Sequence, residues 1–397
     1  MRIILIQQHD PSASHVGGIG TFLNTFIRYA PENYEVSLVG ITADPKNRPL
    51  GQWQDLKVRE RSYKFLPVVA AEPPYRGKFP LSLQFMMGLV RYRHLIDFKD
   101  AILEYHRIEP SFVLRDLKNP KMLLLHGHMK DLRNPQTEVK WGKWPSLYFW
   151  LEGKVVSEMK RVYIVREDAI PDYQARFPQW RDRFHFLPTW VDDRTFICME
   201  ETERKNLKEN FLLNLGLEPQ SKLCLFIGRF EGQKDPFLLL ESFKWLSTKI
   251  NAVLVLVGAG KLEKSIREFI ETQGLSKKVR IVSPQPQLEL VKWMNVADSL
   301  CLSSAFEGMP RVVVESLQCG LPVVSTDAGE AKRLVGDGTA GRLVTERTPA
   351  AFGGALLEVL QNPPGREACR KKVAPFQARD ILKSVYSYYD NVMKSGA

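Results

Sequence analysis

The chain has 397 residues, 44% hydrophobic and 25% charged, a composition that excludes a disordered or fibrous protein. That length exceeds one ordinary core and predicts two or three domains. A formal net charge of +11 and a pI near 9.3 favour an anionic partner: a nucleotide, an acidic glycan, a nucleic acid or a membrane surface.

Met1-Arg2 runs directly into the apolar IILI of residues 3–6 and then into polar QQHD. This run is too short for a signal peptide, and no apolar stretch reaches membrane length. The expectation is a cytosolic protein, or one attached to a membrane from the cytosolic side. The five cysteines (Cys198, Cys224, Cys301, Cys319, Cys369) are scattered without metal-ligand spacing, which predicts reduced, buried thiols.

The first strand leads into HVGGIG, residues 15–20. A helix then places Phe22, Leu23, Phe26, Ile27 and Ala30 on one face. Glycines there let backbone N–H groups approach a phosphate, and they are equally the ordinary way to turn a strand into a helix. Further strands are expected at 35–39, 101–103, 122–125 and 162–165. Two stretches break the rhythm: residues 67–93, mixing prolines, bulky apolar residues and bases, and KWGKWPSLYFWLEGK at 140–154. Core and interface packing would account for both. An exposed amphipathic surface meeting lipid headgroups or a lipid-linked substrate is the alternative.

The pattern ends near FLPTWVD, 186–192, and the charged EETERKNLKEN marks a domain boundary. Asp192-Asp193 reads as a turn and helix cap rather than a metal site. From Leu223 the apolar strands LCLFIG, AVLVLVG, VRIV, SLCLS, PVVS and GRLV alternate with helices, which predicts a parallel sheet covered on both faces. Residues 377–393 read as an amphipathic closing helix. The fold class is therefore α/β, with two doubly wound Rossmann-like domains facing each other across a cleft. The expected divisions are 1–190, 191–375, and a C-terminal helix at 376–397 packing back on the N-terminal domain. Ligands in such folds sit at the carboxyl ends of the strands.

Three constellations could carry chemistry. Arg229 and Lys234, just after LCLFIG, put two cations at a strand end, suited to a diphosphate and its leaving group. A solvated loop is the other reading. Residues 303–326, SSAFEGMPRVVVESLQCGLPVVST, hold Glu307 and Glu315 around a helix opened by Pro310 and ended by Gly320. The free N–H groups of that helix suit a phosphate. A buried Glu315 needs a partner such as a ribose diol, whereas one on the exposed face needs none. Arg311 in the first turn is tolerable if an anion binds there, and is otherwise a surface residue. Third, LHGH (125–128) and EYHR (104–107) end two strands. Metal ligation lacks a further ligand, so a single His near a reacting sugar is preferred, with an ordinary hydrogen-bonded His as the alternative. No Walker loop, nucleophile elbow or nucleic-acid-binding motif is present.

Taken together these segments resemble the retaining GT-B glycosyltransferases of family four, over nearly the whole chain. EGMPRVVVESLQCGLPVVST is similar to its E-x7-E segment, with Glu307 and Glu315 at the two glutamates. Arg229 and Lys234 match its Arg and Lys, LPTWVDDRTF its interdomain segment, and VGGIG its glycine loop, with Gly17 and Gly18 at the doublet. The resemblance implies sugar transfer from a nucleotide-diphosphate sugar, with retention and without a required metal or other cofactor.

By position, Glu315 would hold the ribose and Glu307 the sugar hydroxyls, and Arg229 and Lys234 would bind the diphosphate. Gly17, Gly18, Gly308, Met309 and Arg311 would complete the donor site. His126 would lie beside the reaction centre, with His128 and His106 as further candidates. The leaving phosphate itself would help deprotonate the acceptor. Thr189-Trp190 in place of Asn-Gly, and Asp235 in place of Gly, depart from the family pattern. Residues 283–287, SPQPQ, fall where the base would be read.

The acceptor expected is a glycan or lipid-linked saccharide of a surface polysaccharide or glycolipid pathway, with an anionic membrane surface as a further partner and no nucleic acid. A nucleotide-sugar epimerase of similar fold, or a non-catalytic nucleotide-sugar-binding protein, is the alternative.

Overall fold

The computed structural model describes residues 1–11, 18–72, 79–126 and 145–395. The described residues fall into two units, one running to Pro188 and resuming at Ala378, the other spanning Thr189–Gln377.

The first unit is built on strands β1 (Arg2–Ile6), β2 (Glu35–Thr42), β3 (Gln54–Val58), β4 (Arg61–Ala70), β5 (Ala101–Tyr105), β6 (Lys121–Leu125), β7 (Arg161–Ile164) and β8 (Phe184–Phe186). They form one sheet in the order β3-β4-β2-β1-β5-β6-β7-β8, parallel except for the β3–β4 hairpin. The inner strands are mostly apolar and buried because helices cover both faces. That hairpin was not expected from the sequence. The QDLKV of β3 is half exposed at the sheet edge, and β4 carries Pro67 where its pairing with β2 shifts register, between Gly40 and Ile41. An irregular position in a ladder is where proline is tolerated.

The helices of this unit are α1 (Gly18–Arg28), α2 (Leu81–Tyr92), α3 (Ile108–Val113), α4 (Pro145–Val156) and α5 (Ile170–Arg176). A core cluster of Ile4, Val39, Leu66, Phe85, Leu103 and Leu123 and their neighbours joins sheet to helices.

The second unit carries α6 (Glu201–Asn214), β9 (Lys222–Ile227), α7 (Pro236–Leu246), β10 (Ala252–Val257), α8 (Glu263–Thr272), β11 (Val279–Val282) and α9 (Gln287–Val296). It continues with β12 (Ser299–Leu302), α10 (Arg311–Gln318), β13 (Val323–Thr326), α11 (Ala331–Val335), β14 (Gly341–Val344), α12 (Pro349–Gln361) and α13 (Arg366–Val373). Its sheet is wholly parallel, in the order β11-β10-β9-β12-β13-β14. Val191 forms a parallel bridge with Gln377, so the chain enters and leaves this unit at one place.

The helix α14 (Ala378–Ser395) belongs to the first unit. Its apolar face buries Ile381, Leu382, Val385, Tyr386 and Tyr389. Tyr386 donates its hydroxyl to the Phe26 carbonyl at 2.6 Å, and Tyr34 donates to Asp390 at 2.7 Å.

The cysteines are free, four of them buried. Among the described residues no helix is long and apolar enough to cross a membrane.

Candidate functional site

Each sheet changes direction once. In the second unit the chain winds from β9 through β10 to β11, then returns to place β12 on the other side of β9. The loops leaving β9 and β12 therefore flank a topological switch point, the place where open α/β sheets bind ligands.

Those two loops are laced together. The Ala305 N–H donates to the Gln233 carbonyl at 2.8 Å, Gln233 Nε2 to the Phe306 carbonyl at 3.1 Å, and Ser303 Oγ to the Lys234 carbonyl at 2.8 Å. The result brings Lys234 Nζ to 2.5 Å from Glu307 Oε1, on which Ser304 Oγ also donates at 2.6 Å. Two residues 73 apart in sequence thus share a mostly buried, charge-assisted hydrogen bond. Arg229 is not part of this pair; its side chain is exposed and meets Glu231 at 2.8 Å.

Asp235 explains its own departure from the family. It sits at φ +43°, a left-handed conformation that glycine adopts freely and Asp tolerates. Its carboxylate also caps α7 by accepting from the Leu238 N–H, and it pairs with Arg347 at 2.5 Å. Arg347 in turn donates to the Ser304 carbonyl, beside Glu307.

The helix α10 follows the β12 loop. Both Glu315 and Arg311 lie within it with side chains about one-tenth exposed, so neither is on a solvent face. The partner that a buried Glu315 requires is Arg311 one turn earlier, whose Nε donates to Oε1 at 3.2 Å. Burial pushes the Glu315 carboxyl up and the Arg311 guanidinium down, and their mutual attraction opposes both shifts. The Nη1 and Nη2 protons of Arg311 find no aligned acceptor, although Nη2 lies 3.2 Å from Glu315.

Met309 is buried, and Thr189 holds it: the Thr189 N–H points at Sδ at 3.1 Å and Oγ1 donates to the Met309 carbonyl at 3.2 Å. Thr189 thus fixes the loop that leads into α10. Trp190 beside it is fully buried. Gly308 accepts from the Glu330 N–H at 3.0 Å. That approach requires Gly329, since a Cβ there would come within 2.0 Å of the Gly308 oxygen. Asp192 accepts from the Arg194 N–H and the Thr195 hydroxyl, making a turn.

In the first unit the direction changes between β1 and β5. His9, His106 and His126 follow the carboxyl ends of β1, β5 and β6. His106 Nδ1 lies 2.9 Å from His126 Nε2, with the rings stacked and Phe22 of α1 edge-on to both. Burial lowers His9 to about 4. Gly18 is the exposed first residue of α1. Gly17 and His128 lie outside the described residues.

Residues 208–374, nearly all of the second unit, match the family described as glycosyl transferases group 1. The D-inositol 3-phosphate glycosyltransferase of Corynebacterium urealyticum is 26% identical over 96% of this chain and 92% of its own length. The enzyme of that name from Frankia alni is 32% identical over 47% of this chain and 46% of its own. Among solved structures, the sucrose-phosphate synthase of Thermosynechococcus elongatus superposes with a TM-score of 0.80 at 16% identity, covering 99% of both chains. The structure of Anabaena HepE in complex with UDP-glucose gives 0.72 at 16% identity, over 98% of this chain and all of that one.

The chain has the GT-B fold of these structures, and its second unit resembles the glycosyl transferases group 1. The residues that match the family contain the E-x7-E segment, Glu307 to Glu315.

Three residues that shape the loops at this switch point carry no signal in the sequence, Ser304, Gln233 and Arg347, and Thr189 shows there only as a departure from the resembled pattern. Gln233, Arg347 and Thr189 act on loops distant in sequence. The Arg311–Glu315 pair could have been read from its i, i+4 spacing.

Proposed function

We propose that the chain transfers a sugar from a nucleotide-diphosphate sugar to a glycan or lipid-linked acceptor, with retention of anomeric configuration and without a metal. The observation that carries this reading is the Lys234–Glu307 pair at the switch point, beside the N-terminus of α10. Lys234 is the cation for the diphosphate; Glu307 keeps it aimed and turns its other lone pairs to the sugar hydroxyls. A fixed ammonium costs no reorganisation as charge develops on the leaving phosphate.

Arg229 is the second cation, swinging from Glu231 onto the diphosphate, and the unaligned Nη protons of Arg311 suit the anionic donor. Glu315 binds the ribose diol, Gly308 and Met309 frame the loop, and Gly17 and Gly18 approach a phosphate by their backbone. In the first unit, His126 lies beside the sugar, with His106 behind it and His128 as a further candidate. With no enzymic nucleophile invoked, the leaving phosphate takes the acceptor's proton while the acceptor attacks on the same face. The UDP and UDP-glucose bound to Anabaena HepE support a nucleotide-sugar donor here. The test is a thermal-stabilisation screen of nucleotide sugars, followed by NMR of the product's anomeric proton. A donor that stabilises the protein and yields an α-linked product from an α-donor supports the reading; inversion overturns the retaining assignment.

A second feature favours a membrane-facing acceptor, with action at the cytosolic face. Phe79, Leu83, Met87 and Val90, on and just before α2, and Leu147 and Trp150 on α4 are exposed apolar side chains at near-helical spacing. An apolar strip of this kind on a basic protein suits an anionic bilayer surface. Sedimentation with phosphatidylglycerol vesicles at low salt tests it; loss of binding in Met87→Glu is expected, and no binding by the unaltered protein overturns it.

A further inference from the structure

Three loops at the carboxyl end of the second sheet close into a ring. Lys234 and Asp235 follow β9, Ser304 and Glu307 follow β12, and Arg347 follows β14. Arg347 Nη2 donates to Asp235 Oδ2 at 2.5 Å, and Nη1 donates to the Ser304 carbonyl, also at 2.5 Å. Ser304 Oγ donates to Glu307 Oε1 at 2.6 Å, and Lys234 Nζ reaches the same oxygen at 2.5 Å. The peptide bond between Lys234 and Asp235 completes the circuit. Every member belongs to the second unit.

We propose that Arg347 is a positioning residue of this site: by bridging Asp235 and Ser304 it fixes the loops after β9 and β12 so that the Lys234 ammonium stays against Glu307.

Asp235 is where the bridge is needed. It holds φ +43°, a left-handed backbone that is costly for a residue with a Cβ and persists only where the surroundings over-determine it. Two side-chain bonds hold it there: Oδ1 accepts from the Leu238 N–H at 3.2 Å, and Oδ2 accepts from Arg347. The first ties Asp235 to α7, on its own side of the turn. Of the two, the second reaches another loop. Releasing it frees the peptide beside Lys234 to turn, and the reach of the ammonium to Glu307 turns with it.

The other end of the bridge is rigid. Ser304 is fully buried, and its carbonyl also accepts from Thr326 Oγ1 of β13 at 2.6 Å. Arg347 therefore braces Asp235 against a point fixed to the sheet. The Arg347 side chain is about one-third exposed and that of Asp235 about one-quarter, so their attraction alone contributes little. What the guanidinium supplies is geometry, because its planar fork serves two acceptors on different loops at once. A lysine has the charge without the fork.

The bridge stands on the geometry of the second unit. Its use rests on the transferase reading, in which Lys234 meets the charge that develops on the leaving phosphate.

The experiment is trace acetylation of the full-length protein with acetic anhydride at neutral pH, read lysine by lysine by mass spectrometry. Lys234, about one-sixth exposed, is expected to react slowly in the unaltered protein. Arg347→Met should raise its rate about fivefold or more by opening the ring locally. Lys208, similarly exposed and paired with Asp298 elsewhere in the same unit, should keep its rate. Arg347→Lys should behave like Arg347→Met. Asp235→Asn keeps the cap and tolerates the turn but gives up the carboxylate, and should shift Lys234 in the same direction. With the donor found by the stabilisation screen, Arg347→Met should lower kcat about tenfold, yet change nothing further in a Lys234→Ala protein.

An unchanged Lys234 rate in Arg347→Met or, if that variant does not fold, in Asp235→Asn overturns the proposal. Full protection of Lys234 in Arg347→Lys overturns it by making the role one of charge. So does a rise shared by Lys208, which would mean that the whole unit loosens, and so do independent kcat losses for Arg347→Met and Lys234→Ala. The acetylation needs no donor, so a Lys234 freed as expected in a protein that makes no glycosyl product would keep the bridge and reject the transferase reading instead.

Discussion

The two units differ in how they hold several of their buried ionisable groups. Around β9 and β12, charges are held in pairs: Lys234 with Glu307 and Arg311 with Glu315, largely buried, and Asp235 with Arg347, partly exposed. In the first unit, burial instead drives several groups toward neutrality. His9 is lowered to about 4, Tyr163 and Tyr389 are raised, and Glu152 of α4, completely buried, is pushed up to about 7. A phosphate-bearing ligand calls for permanent charge held in place, whereas placing a proton calls for groups whose charge is suppressed. On the proposed reading, the difference suits the two halves to different chemical tasks.

The contrast breaks most visibly if a pair in the second unit is halved. Glu315→Leu would strand Arg311 in the interior, with an expected loss of about 3–5 kcal/mol in the second unit's stability. Arg311→Met with Glu315→Leu should recover most of it, and the two urea midpoints measure the difference. If the single variant is as stable as the parent, the pair is not truly buried. Next in size, Lys234→Ala should reduce kcat/KM about 10²- to 10³-fold with the donor identified by screening. A loss confined to KM would mean that the ammonium merely binds.

The first unit's neutrality is tested by Glu152→Gln. Unfolded, Glu152 has an ordinary pKa near 4.5; folded, it titrates at about 7, with its nearest cation, Arg176, 3.5 Å away. The folded state therefore holds the proton more tightly. The contribution of Glu152 to the first unit's stability is fully present below pH 4.5 and is lost as pH rises through 7, by about 3 kcal/mol in all. Glu152→Gln should remove that decline and be the more stable protein at pH 8, as read from urea unfolding across the range. The smallest effect is expected at Asp235. Asp235→Ala loses a cap and keeps the left-handed strain, costing about 1 kcal/mol, while Asp235→Gly should cost only a few tenths.

Local chemistry was readable from sequence, and pairing across strands was not. The strand-loop-helix-strand of residues 303–326 follows from apolar runs punctuated by Pro310 and Gly320, where φ is +77°. That Lys234 meets Glu307 depends on β9 and β12 being neighbours, which no residue in either loop announces. The His106–His126 contact likewise needs β5 beside β6. The β3–β4 hairpin was hidden because an exposed edge strand lacks the apolar run that marks the inner ones. Residues 67–93 were read as irregular, but they divide into the end of β4 and the amphipathic α2, separated by residues outside the described set.

The position of α14 carries a consequence for synthesis. Its tyrosines close the first unit through bonds to Phe26 and Glu104, yet the ribosome makes that helix only after the entire second unit. Among the described residues the second unit is contiguous, so it is expected to fold as it emerges. The first must wait with its α14-facing side uncovered, so the half of the chain translated first is expected to finish folding last, through contacts of very high sequence separation.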